Sequence, residues 1–350
     1  MSSFLKCPPI SIEKLAEYVN ISNSHRHFSN FGHCERLLNC RLCNSLDVPL
    51  DRTFLGASAT SLLNLTIRAA FSEVENQKVK LLLPAFSFFS TFSLATDFKS
   101  NILWFDVDES FFPILPRHDI QPTDLMLLNI PFGSSRVLDY FEFIRELPCK
   151  VVIDAAACLP GIIQKRISLS DIPNNAAIIF SLHATKMLNT GEGGFCIFGK
   201  DFPDHMKKLT NFGIDVGRKQ KWLQSTNSKM SEFNAAAGLA SLDDFEENAG
   251  LVLKAKQTIK DISARYGLQF FYDVDEPTLT LNVVVKNPEE IIERLVHNGF
   301  ETRRWWSMSP FIQKEVFPQS LYFYRTTIGL PFDWEQKLDY FQKIIKLVSR

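Results

Sequence analysis

Between residues 80 and 198, short runs of consecutive apolar residues recur along the chain, separated by amphipathic or turn-rich segments. A strand that is apolar at successive positions, rather than at alternate ones, must be covered on both faces of its sheet. This pattern predicts an α/β fold in which a largely parallel central sheet is flanked by helices. The predicted strands are Lys80–Leu83, Ile102–Asp106, Leu125–Ile130, Lys150–Asp154, Ala177–Ser181 and Gly194–Phe198.

Two helices are predicted between residues 54 and 200. One spans Thr60–Val74, with Ser58 or Thr60 near its N-cap, and the other spans Val137–Leu147 and ends before Pro148. Serine and threonine favour the N-cap because their side-chain oxygens accept a hydrogen bond from a first-turn N–H group.

The sequence changes character after residue 230. Residues 231–267 are helix-forming, with Gly267 as a plausible C-cap; residues 279–285 are typical of a strand, and Asn287 and Pro288 open a further helix. A final amphipathic helix is predicted over residues 333–350. We therefore expect a large domain over residues 1–245, with an N-terminal arm over about residues 1–30, and a small α+β domain over residues 246–350.

Composition excludes several classes of function. Hydrophobic residues make up 45% of the 350 positions, charged residues 22%, and the net charge is −1, so electrostatics give no reason to expect nucleic acid or an anionic membrane as a partner. No apolar stretch matches a signal peptide or approaches the roughly 18 residues of a membrane span. These features predict a cytoplasmic protein that acts on small molecules.

The seven cysteines are an odd count in a chain without secretory features, so reduced thiols are expected. Cys34, Cys40 and Cys43 lie near His33, and this grouping raises the possibility of a zinc site. A second CxxC pair that would complete such a site is missing. We therefore predict buried or surface thiols and no metal.

Polar residues end two of the apolar strands: Asp154 closes "VVID" and Ser181 closes "AAIIFS", with Lys186 five residues later. In open α/β sheets, ligands bind beyond the carboxyl ends of the strands. Taken alone, Asp154 is explained equally well as a cap of the next segment, and Lys186 as a side chain that extends to solvent. Together they suit pyridoxal 5′-phosphate (PLP), because a lysine with a lowered pKa can form a Schiff base with an aldehyde, and a carboxylate can keep a pyridine nitrogen protonated.

PLP also requires a site for its phosphate group. Helix N-termini bind phosphate through free backbone N–H groups and the helix dipole. The segment "GASATSLLNL" supplies such a terminus with three hydroxyls, from Ser58, Thr60 and Ser61.

Five segments of the chain occur in the order and spacing of the DegT-type nucleotide-sugar aminotransferases. They are "GASATSLL", "LLLPAFSFFSTFSLA", "VVIDAAA", "FSLHATKMLNTGEGGF" and "STNSKMSEFNAAAGLASLDDFEEN". The chain resembles this family strongly over residues 28–245 and more loosely elsewhere. The resemblance implies a PLP-dependent enzyme of the aspartate aminotransferase fold (fold type I), with a large domain and a smaller α+β domain.

The resemblance also implies roles for individual cofactor contacts. Lys186 corresponds to the Schiff-base lysine that shuttles the proton, and Asp154 to the partner of the pyridine nitrogen. Ser181 and Thr60 correspond to phosphate contacts, and Ala59 replaces a frequent glycine whose backbone N–H contacts the phosphate. Phe88 corresponds to the aromatic residue that stacks on the cofactor ring, whereas Phe86 and Phe89 are expected to be core residues.

Other positions carry over less directly. Asn227 corresponds to an asparagine that reaches the phosphate of the neighbouring subunit, so the resemblance implies a homodimer with shared active sites. Ala157 departs from the family, which commonly has glutamine or histidine at this position to bond the ring hydroxyl. His183 suits either an active-site role or a hydrogen bond that stabilises the turn.

The expected reaction takes an amino group from L-glutamate to a nucleotide-linked keto-sugar. In "NGFETRRWW", Arg303 and Arg304 beside Trp305 suit a diphosphate and a flat base or sugar ring, although an interdomain core patch has the same composition. The segment is similar to relatives that act on dTDP-linked 4-keto-6-deoxyhexoses. We therefore expect amination at C4, or at C3 as the alternative, to make an amino-deoxy sugar for a surface polysaccharide such as O-antigen or for a natural product.

Three other functions fit the sequence less well. A sugar dehydratase of this fold typically has histidine in place of Lys186. A cysteine desulfurase requires a mobile cysteine, and Cys158 and Cys196 are not at loop tips. A non-catalytic PLP-binding regulator has only Ala157 in its favour.

Overall fold

The computed structural model describes residues 4–72, 79–97, 101–115, 120–214, 220 and 225–349. Two N-terminal helices, α1 (Ile12–His25) and α2 (His33–Leu46), pack against each other and against α8 (Glu232–Asp243). The Ser11 side chain caps α1 by accepting a hydrogen bond from the Lys14 N–H.

The described residues form a central sheet of eight strands, in the spatial order β1–β9–β8–β7–β6–β2–β4–β5. Neighbouring strands from β8 to β4 run parallel, whereas β9 is antiparallel to both β1 and β8, and β5 is antiparallel to β4. The predicted mostly parallel sheet is confirmed, and the six predicted strands are all present with ends within one residue of expectation. The strands are β1 (Thr53–Gly56), β2 (Leu81–Pro84), β4 (Ile102–Val107), β5 (Pro113–Ile114), β6 (Leu125–Asn129), β7 (Lys150–Asp154), β8 (Ala176–Ser181) and β9 (Gly194–Phe198).

The consecutive apolar residues are explained by two hydrophobic clusters, one on each face of the sheet. In β7, Val151 and Ile153 belong to one cluster and Val152 to the other. Because side chains alternate along a strand, an apolar residue is required at every position when both faces are covered.

The helices on the two faces include α3 (Ala59–Ser72), which begins one residue before its predicted start. Its predicted end at Val74 lies outside the described residues. The predicted helix Val137–Leu147 is instead a 3₁₀ segment, Arg136–Tyr140, followed by the short α5 (Phe141–Arg145), a tightening that is common at helix starts. The other short helices here are α4 (Phe89–Asp97), α6 (Leu159–Gln164) and α7 (Met206–Leu209).

The segment predicted as one helix over residues 231–267 is two helices, α8 and α9 (Phe245–Ser263). They meet at Asp244, whose φ of −100° and ψ of 3° are not helical and whose carboxylate pairs with Lys14 of α1. Gly267 adopts a φ of +64° after the last turn, as a C-capping glycine does.

The part of the chain after residue 245, which we call the C-terminal module, contains a three-stranded antiparallel sheet in the order β10–β11–β13. A separate strand, β12, pairs with β3 (Phe86–Ser87) and so joins the module to the larger part of the chain. The elements of the module are α9, β10 (Gln269–Phe270), β11 (Asn282–Val284), α10 (Pro288–His297), β12 (Ser307–Met308), α11 (Pro318–Thr326), β13 (Thr327–Gly329) and α12 (Leu338–Val348).

The predicted domain boundary at residues 245 and 246 falls at the start of α9, and the division itself stays a prediction. One hydrophobic cluster extends from the central sheet into the C-terminal module. Within the described part of the chain, no helix is both long enough and apolar enough to cross a membrane.

Candidate active site

A cavity of about 430 Å³ lies where the carboxyl ends of β7 and β8 face the C-terminal module. A larger cleft of about 580 Å³, beside Gln269 and Tyr322, contains none of the predicted site residues. The first cavity is therefore the candidate active site. Its lining includes nine of the eleven predicted site residues, namely Ala59, Thr60, Phe88, Asp154, Ser181, His183, Lys186, Arg303 and Trp305.

Asp154 and Lys186 both present side chains to this cavity. Asp154 is the last residue of β7, and one of its carboxylate oxygens accepts a hydrogen bond from the Ala156 N–H at 3.1 Å. Lys186 sits in the turn after β8, where its N–H donates to the His183 carbonyl at 2.8 Å. The local cap expected for Asp154 is thus present, but the carboxylate also faces the lysine's cavity.

The two side chains shift each other's protonation. Burial lowers the pKa of Lys186, and the nearby Asp154 carboxylate partly offsets this. Burial raises the pKa of Asp154, against which the Ala156 N–H and the Lys186 ammonium act. In the described part of the chain, no group accepts a hydrogen bond from Lys186 Nζ. A lysine in this state is more readily deprotonated and can act as a nucleophile or proton carrier.

The start of α3 forms one end of the cavity through Ala59 and Thr60. Ser58 Oγ accepts from the Ser61 N–H at 3.1 Å, and Ser61 Oγ accepts from the Ser58 N–H at 3.2 Å. The two serine hydroxyls therefore cap the helix reciprocally. Of Ser58, Thr60 and Ser61, only Thr60 lines the cavity.

Gly194 allows this helix start to lie close to the sheet. A Cβ atom at this position would lie 2.7 Å from the Ala59 nitrogen and 2.8 Å from the Ser58 carbonyl carbon. No side chain fits at these distances, so glycine is required for the observed packing.

These residues fit PLP. The start of α3 offers N–H groups that lack partners within the helix, and the hydroxyls of Thr60 and Ser181 lie on the same cavity. Lys186 and Asp154 supply the amine and the carboxylate that the aldehyde and the pyridine nitrogen need. The unbonded Lys186 ammonium is the observation that a covalent partner best explains.

The three phenylalanines of "AFSFF" differ in environment. Phe86 is 2% exposed, as expected of a core residue, and Phe88 lines the cavity. The prediction that Phe89 is buried is wrong, because its side chain is 60% exposed. Phe89 begins α4 and only touches the Phe88 ring, with 5.7 Å between ring centroids.

His183 takes part in the turn and also lines the cavity. Its Nδ1 accepts a hydrogen bond from the Thr185 N–H at 3.2 Å and lies 2.9 Å from the Thr185 hydroxyl, while Nε2 lies 3.4 Å from a Glu192 oxygen. Both proposed roles are therefore compatible with its position. Ala157 lines the cavity as well, without a polar side-chain group.

Arg303 and Arg304 have different surroundings. Arg303 lines the cavity, and its Nε donates to Glu301 at 3.0 Å. The prediction that Arg304 also faces the substrate is not supported, because its guanidinium pairs with Glu289 and donates to the Tyr324 carbonyl, away from the cavity lining. The partners of Arg304 hold its guanidinium outside the cavity lining, whereas Arg303, Trp305 and Trp306 of the same segment line the cavity.

Asn227 is not among the residues that line the cavity of its own chain. Its side-chain oxygen accepts a hydrogen bond from Lys229 Nζ at 2.7 Å, and its backbone forms a bridge with Asn211. Its expected role in a neighbouring subunit stays a prediction.

Several lining residues were not predicted from the sequence, including Phe132, Thr280 and Asn282. Asn282 left a detectable signal, because it is an isolated polar residue in the apolar run "LTLNVVV". Thr280 and Asn282 belong to the C-terminal module and line the cavity because that module packs against the sheet. They lie far from the lysine motif in the sequence, so the motif gave no indication of them.

The environments of Cys158 and Cys196 disfavour the thiolate form. Burial raises the pKa of both Cys158 and Cys196, which makes them poor nucleophiles. Cys34 and Cys43 are buried. Cys34 Sγ donates a hydrogen bond to the Tyr18 carbonyl, and Cys43 Sγ forms one with the Thr53 hydroxyl. Among the described residues, no group of three or more His, Cys, Asp or Glu side chains is placed to hold a metal ion.

A model of the DegT/DnrJ/EryC1/StrS aminotransferase family matches residues 12–347. The chain belongs to this family. The family expected from the sequence is confirmed, and with it the fold and the class of enzyme and cofactor, since DegT-type aminotransferases are PLP-dependent.

The chain is also similar to individual relatives and solved structures. Protein Mb3436c of Mycobacterium bovis is 26% identical over 276 residues, which cover 75% of this chain and 65% of that protein. A dTDP-4-amino-4,6-dideoxy-D-glucose transaminase of Shigella dysenteriae is 26% identical over 73% of this chain and 69% of its own length. The chain thus spans about two thirds of the length of these relatives.

Two crystal structures show the same fold over nearly the whole chain. DesI, solved with its TDP-sugar product, superposes with a TM-score of 0.81 at 21% identity, covering 100% of this chain and 93% of DesI. The PLP-form of Spr1654 from Streptococcus pneumoniae gives a TM-score of 0.77 at 18% identity, covering 99% of this chain and 98% of that one.

Proposed function

We propose that this chain transfers an amino group from L-glutamate to C4 of a dTDP-linked 4-keto-6-deoxyhexose, with C3 as the alternative position. The observation that carries the proposal is the pairing of Lys186 and Asp154 in one cavity that also contains Arg303 and Trp305. The first pair suits amino-group transfer, and the second suits a sugar nucleotide.

When bound, PLP supplies an electron sink for the carbon that gains or loses the amino group. Lys186 would hold it through Nζ, and Asp154 would keep its ring nitrogen protonated. The N–H groups at the start of α3, with Thr60 and Ser181, would bind its phosphate. Phe88 would cover one face of its ring.

Lys186 is also suited to move the proton that amino transfer requires. A general acid–base group works best when its pKa is near the working pH, and burial lowers the pKa of Lys186 from its ordinary value of 10.5. The Asp154 carboxylate keeps the charged form accessible, so Nζ can both accept and return a proton.

Arg303 and Trp305 are the proposed sugar-nucleotide contacts. A guanidinium group binds phosphate oxygens bidentately, and an indole ring covers a base or a sugar. The Shigella dysenteriae relative, a dTDP-amino-sugar transaminase, supports dTDP as the nucleotide. We further propose a cytoplasmic homodimer in which Asn227 contacts the phosphate in the partner subunit.

Single-turnover measurements test the function. Protein loaded with PLP should lose its visible absorbance band on addition of L-glutamate and regain it on addition of a dTDP-linked 4-keto-6-deoxyhexose, but not of the free sugar. Borohydride treatment should attach the cofactor to the peptide that contains Lys186. Failure of glutamate and other amino acids to change the spectrum would refute the enzyme and favour a PLP-binding regulator.

A further inference from the structure

The wall of the cavity formed by the C-terminal module contains a polar side chain to which no role has been assigned. Asn282 begins β11, is 0% exposed, and lines the cavity that contains Lys186. Its chain neighbours Leu281 and Val283 are buried apolar residues. Buried amide groups in strands are expected to have all their hydrogen bonds satisfied.

Asp273 fixes the orientation of this amide. Asp273 Oδ2 accepts a hydrogen bond from the Asn282 backbone N–H at 3.0 Å and another from Asn282 Nδ2 at 2.6 Å. A backbone N–H can only donate, so Oδ2 accepts from it, and an ionised Asp273 carboxylate can only accept from the side chain as well, which places the amide nitrogen against it. With Asp273 ionised, the flipped amide would place two acceptor oxygens against each other.

The amide oxygen of Asn282 consequently remains unpaired. Within the described part of the chain, Asn282 Oδ1 is buried and has no hydrogen-bond partner. Asn282 lines the cavity, and with its nitrogen bonded to Asp273 the oxygen is the atom of the amide that is left to accept a hydrogen bond from a ligand. It can only accept a hydrogen bond, so its ligand must carry an O–H or N–H donor.

This chemistry limits which part of a substrate can lie there. A carboxylate or a phosphate has no donor at neutral pH and would be repelled by a carbonyl oxygen. The candidates include a ring hydroxyl of the sugar and the ammonium group of the amino donor. Arg303 and Trp305 line the same cavity, which favours the sugar.

We propose that Asn282 Oδ1 accepts a hydrogen bond from a ring hydroxyl of the keto-sugar and makes the enzyme selective for sugars that carry this hydroxyl. The inference rests on the proposed function. Asp273 is then a positioning residue, which acts by holding the amide.

This role is tested by combining a substitution at Asn282 with the removal of single hydroxyls from the substrate. Asn282→Leu removes the amide with little change in volume, and each keto-sugar is compared with analogues that lack one ring hydroxyl. For the fully hydroxylated sugar, kcat/KM should fall by about tenfold to a hundredfold, since the site loses one hydrogen bond to its substrate. For the analogue that lacks the contacted hydroxyl, the same substitution should have no further effect.

Two controls separate recognition from stability. Asn39 is also buried, with an unpaired Oδ1, but it lines a different cavity, so Asn39→Leu should affect all sugars equally. Asn282→Ser retains a hydroxyl that can donate to Asp273 but offers no carbonyl oxygen, and it should show the same coupling if Asn282→Leu does not fold.

The outcomes are distinct. An equal loss with every sugar analogue would overturn the proposed contact, and so would an Asn282→Leu defect confined to the half-reaction with L-glutamate, which would assign the oxygen to the donor ammonium. If the wild-type protein aminates no nucleotide keto-sugar, the proposed function fails and this inference fails with it.

Discussion

Replacing Gly194 by alanine should weaken PLP binding and also destabilise the fold, by similar free energies. Gly194 begins β9, opposite the start of α3, and the added Cβ would lie 2.7 Å from the Ala59 nitrogen. An ordinary contact begins at 3.4 Å, so the helix start must move by about 0.7 Å. The contacted atoms are backbone, which cannot rotate away as a side chain can.

The size of the effect follows from this displacement. Hydrogen bonds from N–H groups to oxygen span roughly 2.7–3.2 Å, so a shift of this size removes at least one bond to the phosphate. A hydrogen bond to a charged group contributes about 1.5–3 kcal/mol, which corresponds to a roughly 10- to 150-fold increase in the Kd for PLP. Overpacking itself should lower the free energy of unfolding by about 1–3 kcal/mol.

The Kd is measured by titrating the cofactor-free protein with PLP, and the free energy of unfolding by denaturant titration. Gly250→Ala is the matched control, because an added Cβ there meets nothing within 4 Å in the middle of α9. It should leave the Kd unchanged and stabilise the protein by about 0.5–1 kcal/mol. If Gly194→Ala is destabilised but binds PLP with wild-type affinity, the start of α3 does not bind the phosphate.

Three further predictions concern the proposed site. Asp154→Asn should abolish most activity yet raise the free energy of unfolding of the cofactor-free protein at pH 7. Burial raises the pKa of Asp154, so the stability that the protonated side chain contributes is lost as the pH rises above 3.8, the ordinary pKa of aspartate. In denaturant titrations below pH 3.8, the gain in stability from asparagine should therefore vanish. Arg303→Ala should raise the keto-sugar KM about tenfold or more without changing the glutamate half-reaction, whereas Arg304→Ala should lower stability and leave KM unchanged; the reverse result in steady-state kinetics would refute the assignment. Mixing inactive Lys186→Ala with inactive Asn227→Asp chains should restore part of the activity, and no recovery after proven subunit exchange would place Asn227 in its own active site.

The central sheet could be predicted because its physical requirement is local. A strand covered on both faces must be apolar at every position, and β7 shows this directly in Val151, Val152 and Ile153. The interruption at Asp244 could not be predicted in the same way. It depends on Lys14, 230 positions earlier in the chain, which pairs with the carboxylate in the folded structure.

The candidate site likewise contains residues that local sequence could predict and residues that depend on the folded structure. Lys186 and Asp154 were identified because each follows a buried strand, and parallel strands bring their carboxyl ends together. The difference between Arg303 and Arg304 depends on the partners that each guanidinium meets in the folded structure, Glu301 for Arg303 and Glu289 with the Tyr324 carbonyl for Arg304. Asn282 enters the cavity only because the C-terminal module packs over the sheet.

The molecule contains two buried lysine–aspartate pairs, Lys186 with Asp154 and Lys256 with Asp273. The hydrogen bonds of the two lysines indicate different roles. Burial lowers the pKa of Lys256 to about 8 and raises that of Asp273 to about 7, the same directions as for Lys186 and Asp154. Lys256 Nζ, however, donates to two backbone carbonyls and one hydroxyl, so all three of its protons have acceptors. Lys186 has none in the described part of the chain, which leaves its amine available for chemistry. One of the carbonyls bound by Lys256 belongs to Asp273, so Lys256 helps to hold the residue that orients Asn282. Lys186, in contrast, lines the same cavity as Asn282.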